Sequence, residues 1–213
     1  MQENDARKLS QMFNRISNLI AAEKDYLTEL DGAIGDADHG ITMMLGFGAV
    51  ASELARSDFE DMLPSAVMTT AASVFLNAVG ASTGPLYATA FLRAAKTLEA
   101  RQSLDAAGQV AMLQAINVGI QERGKGQRGD KTMLDTWIPA AEAGAAALER
   151  GCAPSELWRE ITAAGESGAA ATRSMVAVRG RAARLGERSL GHVDPGAASA
   201  VLILKAMAEV FAV

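Results

Sequence analysis

Three carboxylates and a histidine crowd into residues 31–40, which read Asp-Gly-Ala-Ile-Gly-Asp-Ala-Asp-His-Gly. Asp31, Asp36 and Asp38 are spaced by five and two, which misses the three-to-four residue repeat of a helical face, so one helix cannot gather them. A glycine-broken loop can. Three anions held together repel one another, and the arrangement becomes favourable when a hard divalent cation sits among their oxygens. Mg²⁺ typically takes one or two carboxylates plus substrate phosphates. An EF-hand does not fit, because its ligand spacing and closing Glu are missing. A single Asp-Gly pair such as Asp31-Gly32 is ordinary turn and cap chemistry. It is the cluster that points to a metal-phosphate site.

Three other segments carry residues suited to the same chemistry. Gly80-Ala81-Ser82-Thr83-Gly84-Pro85 joins glycines and two hydroxyls to a helix start, where free backbone N–H groups can hold a phosphate; an ordinary capped turn has the same composition. Gly124 to Met133 is a glycine-rich loop running into a helix for which Asp130 is the expected cap, and it lacks the glycine spacing of a Walker A motif. Met133 suits either core packing or the face of a flat base. Residues 179–196 hold Arg179, Arg181, Arg184, Arg188 and His192 among glycines, and an irregular stretch of that length is expected to be a lid or binding loop. Its arginines suit polyphosphate oxygens or, singly, a solvated surface.

The body that must position these segments reads as helix throughout. Leu9, Met12, Phe13, Ile16, Leu19 and Ile20 form an i, i+3, i+4 stripe, and Ala-rich helical stretches follow near 40–55, 64–79, 84–98, 105–123, 131–150, 155–174 and 195–211. That makes eight helices. Pro85, Pro154 and the Asp194-Pro195 pair mark helix starts. No strand alternation, repeat or linker is visible, so 213 residues, 49% hydrophobic, are expected to form one all-α domain spanning 1–213 with closely packed antiparallel helices. A formal charge of −5 with 5% aromatic residues argues against a nucleic-acid surface. The single cysteine, Cys152, excludes an internal disulfide framework. The polar N-terminus lacks a signal-peptide core, and the apolar run at 197–213 is broken by Lys205 and Glu209. The expectation is a cytoplasmic protein that does not enter a membrane.

Four ordered motifs, Leu30 to Gly40, Gly84-Pro85-Leu86-Tyr87, Gly129 to Asp135 and Gly180 to Gly196, resemble the nucleotide-binding L subunit family of dihydroxyacetone kinases. The resemblance implies an antiparallel eight-helix barrel with ADP or ATP at one end. It implies that Asp31, Asp36 and Asp38 hold two Mg²⁺ ions bridging the nucleotide phosphates and that these three, with Arg181, form the catalytic group. It puts His39, Gly40, Ile41, Thr42, Ser82 and Thr83 around the phosphates and Gly124 and Met133 near the adenine. Arg181 with Asp194, Pro195 and Gly196 falls in the closing lid. A loose phosphoryl-transfer transition state needs positioning and charge neutralisation rather than a protein nucleophile, so this set is sufficient. Two positions depart from the pattern: Ala37 stands where many relatives have Gly, and Thr42 where related domains often have Asn.

The resemblance also implies partners. The barrel fills this chain, so dihydroxyacetone would sit on a separate K subunit. In phosphoenolpyruvate-dependent systems of glycerol metabolism a phosphohistidine carrier, the M subunit, would rephosphorylate a retained ADP. Two alternatives stand beside that reading: a subunit using exchangeable ATP for dihydroxyacetone or another small ketose, and a nucleotide-dependent protein reporting kinase state to a transcription regulator.

Overall fold

The computed structural model describes residues 4–80, 82–101 and 103–212; Met1 to Glu3, Ala81 of the Gly80–Pro85 turn, Gln102 and Val213 lie outside the described residues. Among the described residues there are nine α-helices and no strand: α1 (Asp5–Ala22), α2 (Lys24–Ile34), α3 (His39–Leu54), α4 (Pro64–Ala78), α5 (Thr83–Glu99), α6 (Ala106–Gly124), α7 (Leu134–Glu149), α8 (Pro154–Ala171) and α9 (Pro195–Phe211). Two short 3-10 segments, Thr172–Ser174 and Ala182–Ser189, lie between α8 and α9. None of these helices is long and apolar enough to cross a membrane.

Eight of the helices close a ring. Each of α3 to α8 packs on the next in sequence, and α1 completes the circuit by packing on both α3 and α9. The expected eight-helix barrel is this ring, and α2 is additional, lying against α3 and α9. The apolar pattern alone does not reveal α2. Its 11 residues bury only Leu27, Asp31 and Ile34, at i, i+4 and i+7, and the middle one is a carboxylate.

Aromatic rings fill the interior: Phe13 of α1, Phe47 of α3, Phe75 of α4, and Tyr87 and Phe91 of α5 meet mostly edge to face, with centroids 5.0–6.3 Å apart. Such geometry matches the positive edge of one ring to the negative face of the next. Trp158 stacks on Phe211 at 5.4 Å, and its indole N–H donates to Gln109 Oε1 at 2.8 Å, so α8 is joined to both α9 and α6. Small residues let the helices approach closely. A Cβ on Gly119 would lie 2.7 Å from Ala90 Cα, and one on Gly168 would run into the Asp135 carbonyl.

Neighbouring helices joined by short turns run antiparallel. The ring therefore gathers the N-terminal ends of α3, α5, α7 and α9 at one end of the barrel, with the C-terminal end of α6. Four helix starts, with their positive dipole ends, share that end.

Candidate functional site

A cavity of about 590 Å³ opens at this end, a size suited to a nucleotide. Its walls come from the starts of α3 (His39), α5 (Ser82, Thr83), α7 (Met133, Leu134) and α9 (Pro195, Gly196), and from the ends of α2 (Ile34) and α6 (Ile120, Gly124). Pro85, Leu86, Ile120, Met133 and Leu134 supply an apolar portion, while Asp31, Asp38 and Arg181 supply a charged one.

The acidic cluster is built by two helices rather than by one long loop. Asp31 sits in the last turn of α2, Asp36 in the four-residue link, and Asp38 at the N-cap of α3. Asp31 Oδ2 accepts from the amides of Asp38 at 2.9 Å and His39 at 3.2 Å, so its carboxylate caps the next helix and fixes the link. Ala37 takes a left-handed φ of 60°, the conformation for which Gly is the ordinary choice. One carboxylate oxygen of each Asp lies within 4.8 Å of the others. Gly35 leaves room beside Asp31, since a Cβ there would run into Oδ1, the oxygen not spent on the amides. Three convergent hard oxygens fit a divalent cation such as Mg²⁺.

The carboxylates interact strongly. Burial, and then the neighbouring Asp36 charge, raise the Asp38 pKa above the usual range, while Arg181 pulls it back. Arg181 Nη1 lies 2.8 Å from Asp36 Oδ1 and 3.6 Å from Asp38 Oδ2, so positive charge from the lid already compensates the cluster. The lid is more regular than expected. Residues 182–189 form 3-10 turns kinked at Gly186, with only the flanks irregular.

The glycine loop is held by two aspartates. Asp135 accepts from the amides of Gly129 at 2.6 Å and Thr132 at 2.9 Å. Asp130 accepts from the Gln127 amide at 3.0 Å and from Arg179 Nε at 2.5 Å. Asp130 is therefore not the cap of α7. That helix starts at Leu134, because Lys131 is left-handed at φ 58° and interrupts the turn, and Thr132 Oγ1 accepts from the Leu134 amide instead. Lys131 is buried, and its burial lowers the ammonium pKa while Asp194 and Asp135 oppose the shift.

His39 and Asp194 set the charge of the rear wall. Burial pushes the His39 pKa down to about 4, against the pull of Asp31, so the ring is neutral at pH 7. Its Nε2 lies 2.9 Å from Ser199 Oγ, and that hydroxyl donates to the Gly196 carbonyl at 3.0 Å. Since the hydroxyl proton is used there, Nε2 carries the proton and donates. The pair joins the starts of α3 and α9. Asp194 caps α9 by accepting from the Ala197 amide at 2.8 Å, and burial raises its pKa to about 7, opposed by that amide and by Lys131.

Of the residues expected at the site, Asp31, Asp38, His39, Ser82, Thr83, Gly124, Met133, Arg181, Asp194, Pro195 and Gly196 line the cavity, and Asp36 reaches it through Arg181. Gly40, Ile41 and Thr42 do not form its wall. Gly40 packs on the backbone of α2 at Lys24, Ile41 is exposed, and the Thr42 amide bonds the Asp38 carbonyl. By position, Gly40 and Ile41 still offer first-turn amides. The sequence gives no role to Lys131, Asp135 or Ser199, and Arg179, expected among the lid arginines, is bonded to Asp130 instead. The left-handed backbone at Lys131, in a Gly-Asp-Lys-Thr stretch without apolar periodicity, leaves no pattern to read.

Residues 33–209 match the family model described as the DAK2 domain. The chain is 39% identical over 197 residues to the PEP-dependent dihydroxyacetone kinase, ADP-binding subunit DhaL, of Escherichia coli (strain K12), covering 91% of each. It is 36% identical to the PTS-dependent dihydroxyacetone kinase, ADP-binding subunit DhaL, of Lactococcus lactis subsp. lactis (strain IL1403), covering 93% of this chain and 94% of that one. Among solved structures, the dihydroxyacetone kinase of C. freundii in complex with AMP-PNP and Mg²⁺ aligns with a TM-score of 0.70 at 24% identity. That alignment covers 94% of this chain and 33% of the kinase, so this chain spans about a third of the larger protein and the likeness is one of fold. With the family model matching most of its length and close relatives covered nearly end to end, the chain belongs to the DAK2 domain family.

Proposed function

We propose that residues 1–213 form a single L-type nucleotide-binding domain, the phosphotransferase subunit that carries Mg-ADP or Mg-ATP in a multi-subunit dihydroxyacetone kinase. The observation that carries this reading is the convergence of Asp31, Asp36 and Asp38 at the mouth of a cavity into which four helices start. The names of the relatives, ADP-binding subunits of PEP- or PTS-dependent dihydroxyacetone kinases, support the donor and the reaction.

In this reading the three aspartates hold two Mg²⁺ ions. Bound there, the metal would neutralise phosphate charge as it shifts during transfer. The chain's own groups do the rest. The first turns of α3 and α5, with His39 beside them, offer the phosphates the amides of Gly40 and Ile41 and the hydroxyls of Thr42, Ser82 and Thr83. Gly124, Met133 and Leu86 flank the base. Arg181 is free to turn from the aspartates to phosphate oxygens once another cation takes over their charge. No residue here serves as a nucleophile.

Dihydroxyacetone is then held by a K subunit, and the phosphoryl group comes from a phosphohistidine carrier, the M subunit, with ADP retained as a cofactor in the cytoplasm. The test is to purify the chain, assay bound nucleotide, and add a K subunit with dihydroxyacetone. Stoichiometric retained ADP, and turnover only when phosphoenolpyruvate and its carrier proteins are supplied, support the phosphoenolpyruvate-dependent reading. Turnover with freely exchanging ATP identifies an ATP-dependent subunit instead. No transfer under either condition refutes the kinase assignment and leaves a regulatory interaction protein.

A further inference from the structure

The excursion between α8 and α9 is tied at its base. The Gly191 amide donates to the Arg173 carbonyl at 2.8 Å, and the Asp194 amide donates to Thr172 Oγ1 at 3.0 Å. Across the same neck, Lys131 Nζ donates to the carbonyl of Thr172 at 2.6 Å and to that of His192 at 2.5 Å. One ammonium thus bonds the outgoing and the returning strand together. Lys131 is only 1% exposed and holds a left-handed φ of 58°. Burying an ammonium is unfavourable unless it is well bonded, and left-handed backbone is unfavourable for a non-glycine residue. Both penalties fall on one residue in the wall of the site, the pattern by which function rather than packing sets a conformation.

The preceding residue holds the next part of the excursion. Asp130 accepts from Arg179 Nε, and its carbonyl accepts from the Val178 amide at 3.3 Å. What remains unclasped is the span from Gly180 to Arg188, because Ser189 is buried and its Oγ accepts from the Ala177 amide at 2.9 Å. Gly180 and Gly186 within it are left-handed at φ 66° and 57°, and it carries Arg181 to Asp36 and Asp38.

We propose that Lys131 is a positioning residue that clasps the neck of the lid, confines lid motion to Gly180–Arg188, and so delivers Arg181 to the acidic cluster and sets the residence time of the nucleotide. The last consequence rests on the nucleotide reading above; the clasp itself does not.

Two measurements separate them. In nucleotide-free, full-length protein, trypsin should cut after Arg181, Arg184 and Arg188 while sparing Arg173 and Arg179. Lys131→Met should expose both spared sites, with cleavage there rising about tenfold or more as local opening becomes easier. Release of a fluorescent ADP analogue with Mg²⁺ should quicken about tenfold in Lys131→Met and in Arg181→Ala, and the double variant should release no more than about threefold faster than the quicker single one, because the lysine acts through the arginine. A role confined to general stability would make the two effects multiply. Unchanged cleavage at Arg173 and Arg179, or multiplying release rates, overturns the clasp. A wild-type chain that does not bind the analogue overturns the nucleotide reading and leaves the cleavage pattern to decide the clasp. If Lys131→Met does not fold, Lys131→Gly, which accepts the left-handed backbone and removes the ammonium, should give the same two results.

Discussion

Ala37 and Asp194 show single residues held in states that cost stability beside the site. At φ 60°, Ala37 places its Cβ against its own backbone, and Ala37→Gly relieves that strain while adding disorder to the unfolded chain. The first effect is the larger, so the variant is expected to be more stable by about 0.5–1 kcal/mol in urea unfolding. A loss of stability would show that the link is not strained. Asp194 has a folded pKa raised to about 7, above that of an unfolded aspartate. Between about pH 4 and pH 7 the folded state therefore binds the extra proton, and this group makes stability fall as pH rises through that window. Asp194→Asn keeps a capping oxygen and cannot ionise. In chelator-treated, nucleotide-free protein, the stability of the variant relative to wild type should climb from about pH 4 to pH 7 and then level off. A constant difference across that range would contradict a protonated Asp194. The acidic cluster was legible in the sequence because carboxylate spacing alone excludes a shared helix. Lys131 was not, because its role depends on carbonyls 41 and 61 residues away.

At the scale of elements, the barrel depends on contacts too close for any side chain. Gly168 lets α8 touch the first turn of α7 at the Asp135 carbonyl, and Asp135 in turn holds the amides of Gly129 and Thr132. Gly168→Ala must push the helices apart and disturb the loop that lines the cavity. A destabilisation of about 2–3 kcal/mol is expected, read as a lower urea midpoint, together with weaker nucleotide binding. Wild-type stability would mean that α7 and α8 do not approach so closely. Helices with an apolar stripe and a proline start, such as α8 and α9, were legible to within a few residues. The elements that escaped were α2, whose buried stripe is interrupted by Asp31, and the late start of α7, where Asp130 turned out to hold Arg179 instead of capping a helix. Both exceptions lie at the site, where carboxylates take places that packing would give to apolar or capping residues.

For the whole molecule, an acidic chain places Arg123, Arg179 and Arg181 in the wall of the cavity. The net charge is −5, yet residues 173–192 contain five Arg and one Glu. Such a rim favours approach of an anionic nucleotide. In the proposed reading the cavity at the helix starts is taken by the nucleotide, and the sugar is held by the K subunit. The purified chain alone is therefore expected to form no dihydroxyacetone phosphate from ATP or from phosphoenolpyruvate, and detectable product from a contaminant-free sample would contradict the division of labour between subunits. The central claim is that the three aspartates and the helix starts form one metal-nucleotide site. Calorimetric titration of nucleotide-free protein with ADP tests it most directly, with Mg²⁺ and with chelator, in wild type and in Asp36→Asn and Asp38→Asn. The expected result is one ADP per chain that requires Mg²⁺, with binding weakened at least about tenfold in either variant as a ligand charge is lost. ADP binding that ignores both the metal and the carboxylates would contradict the account.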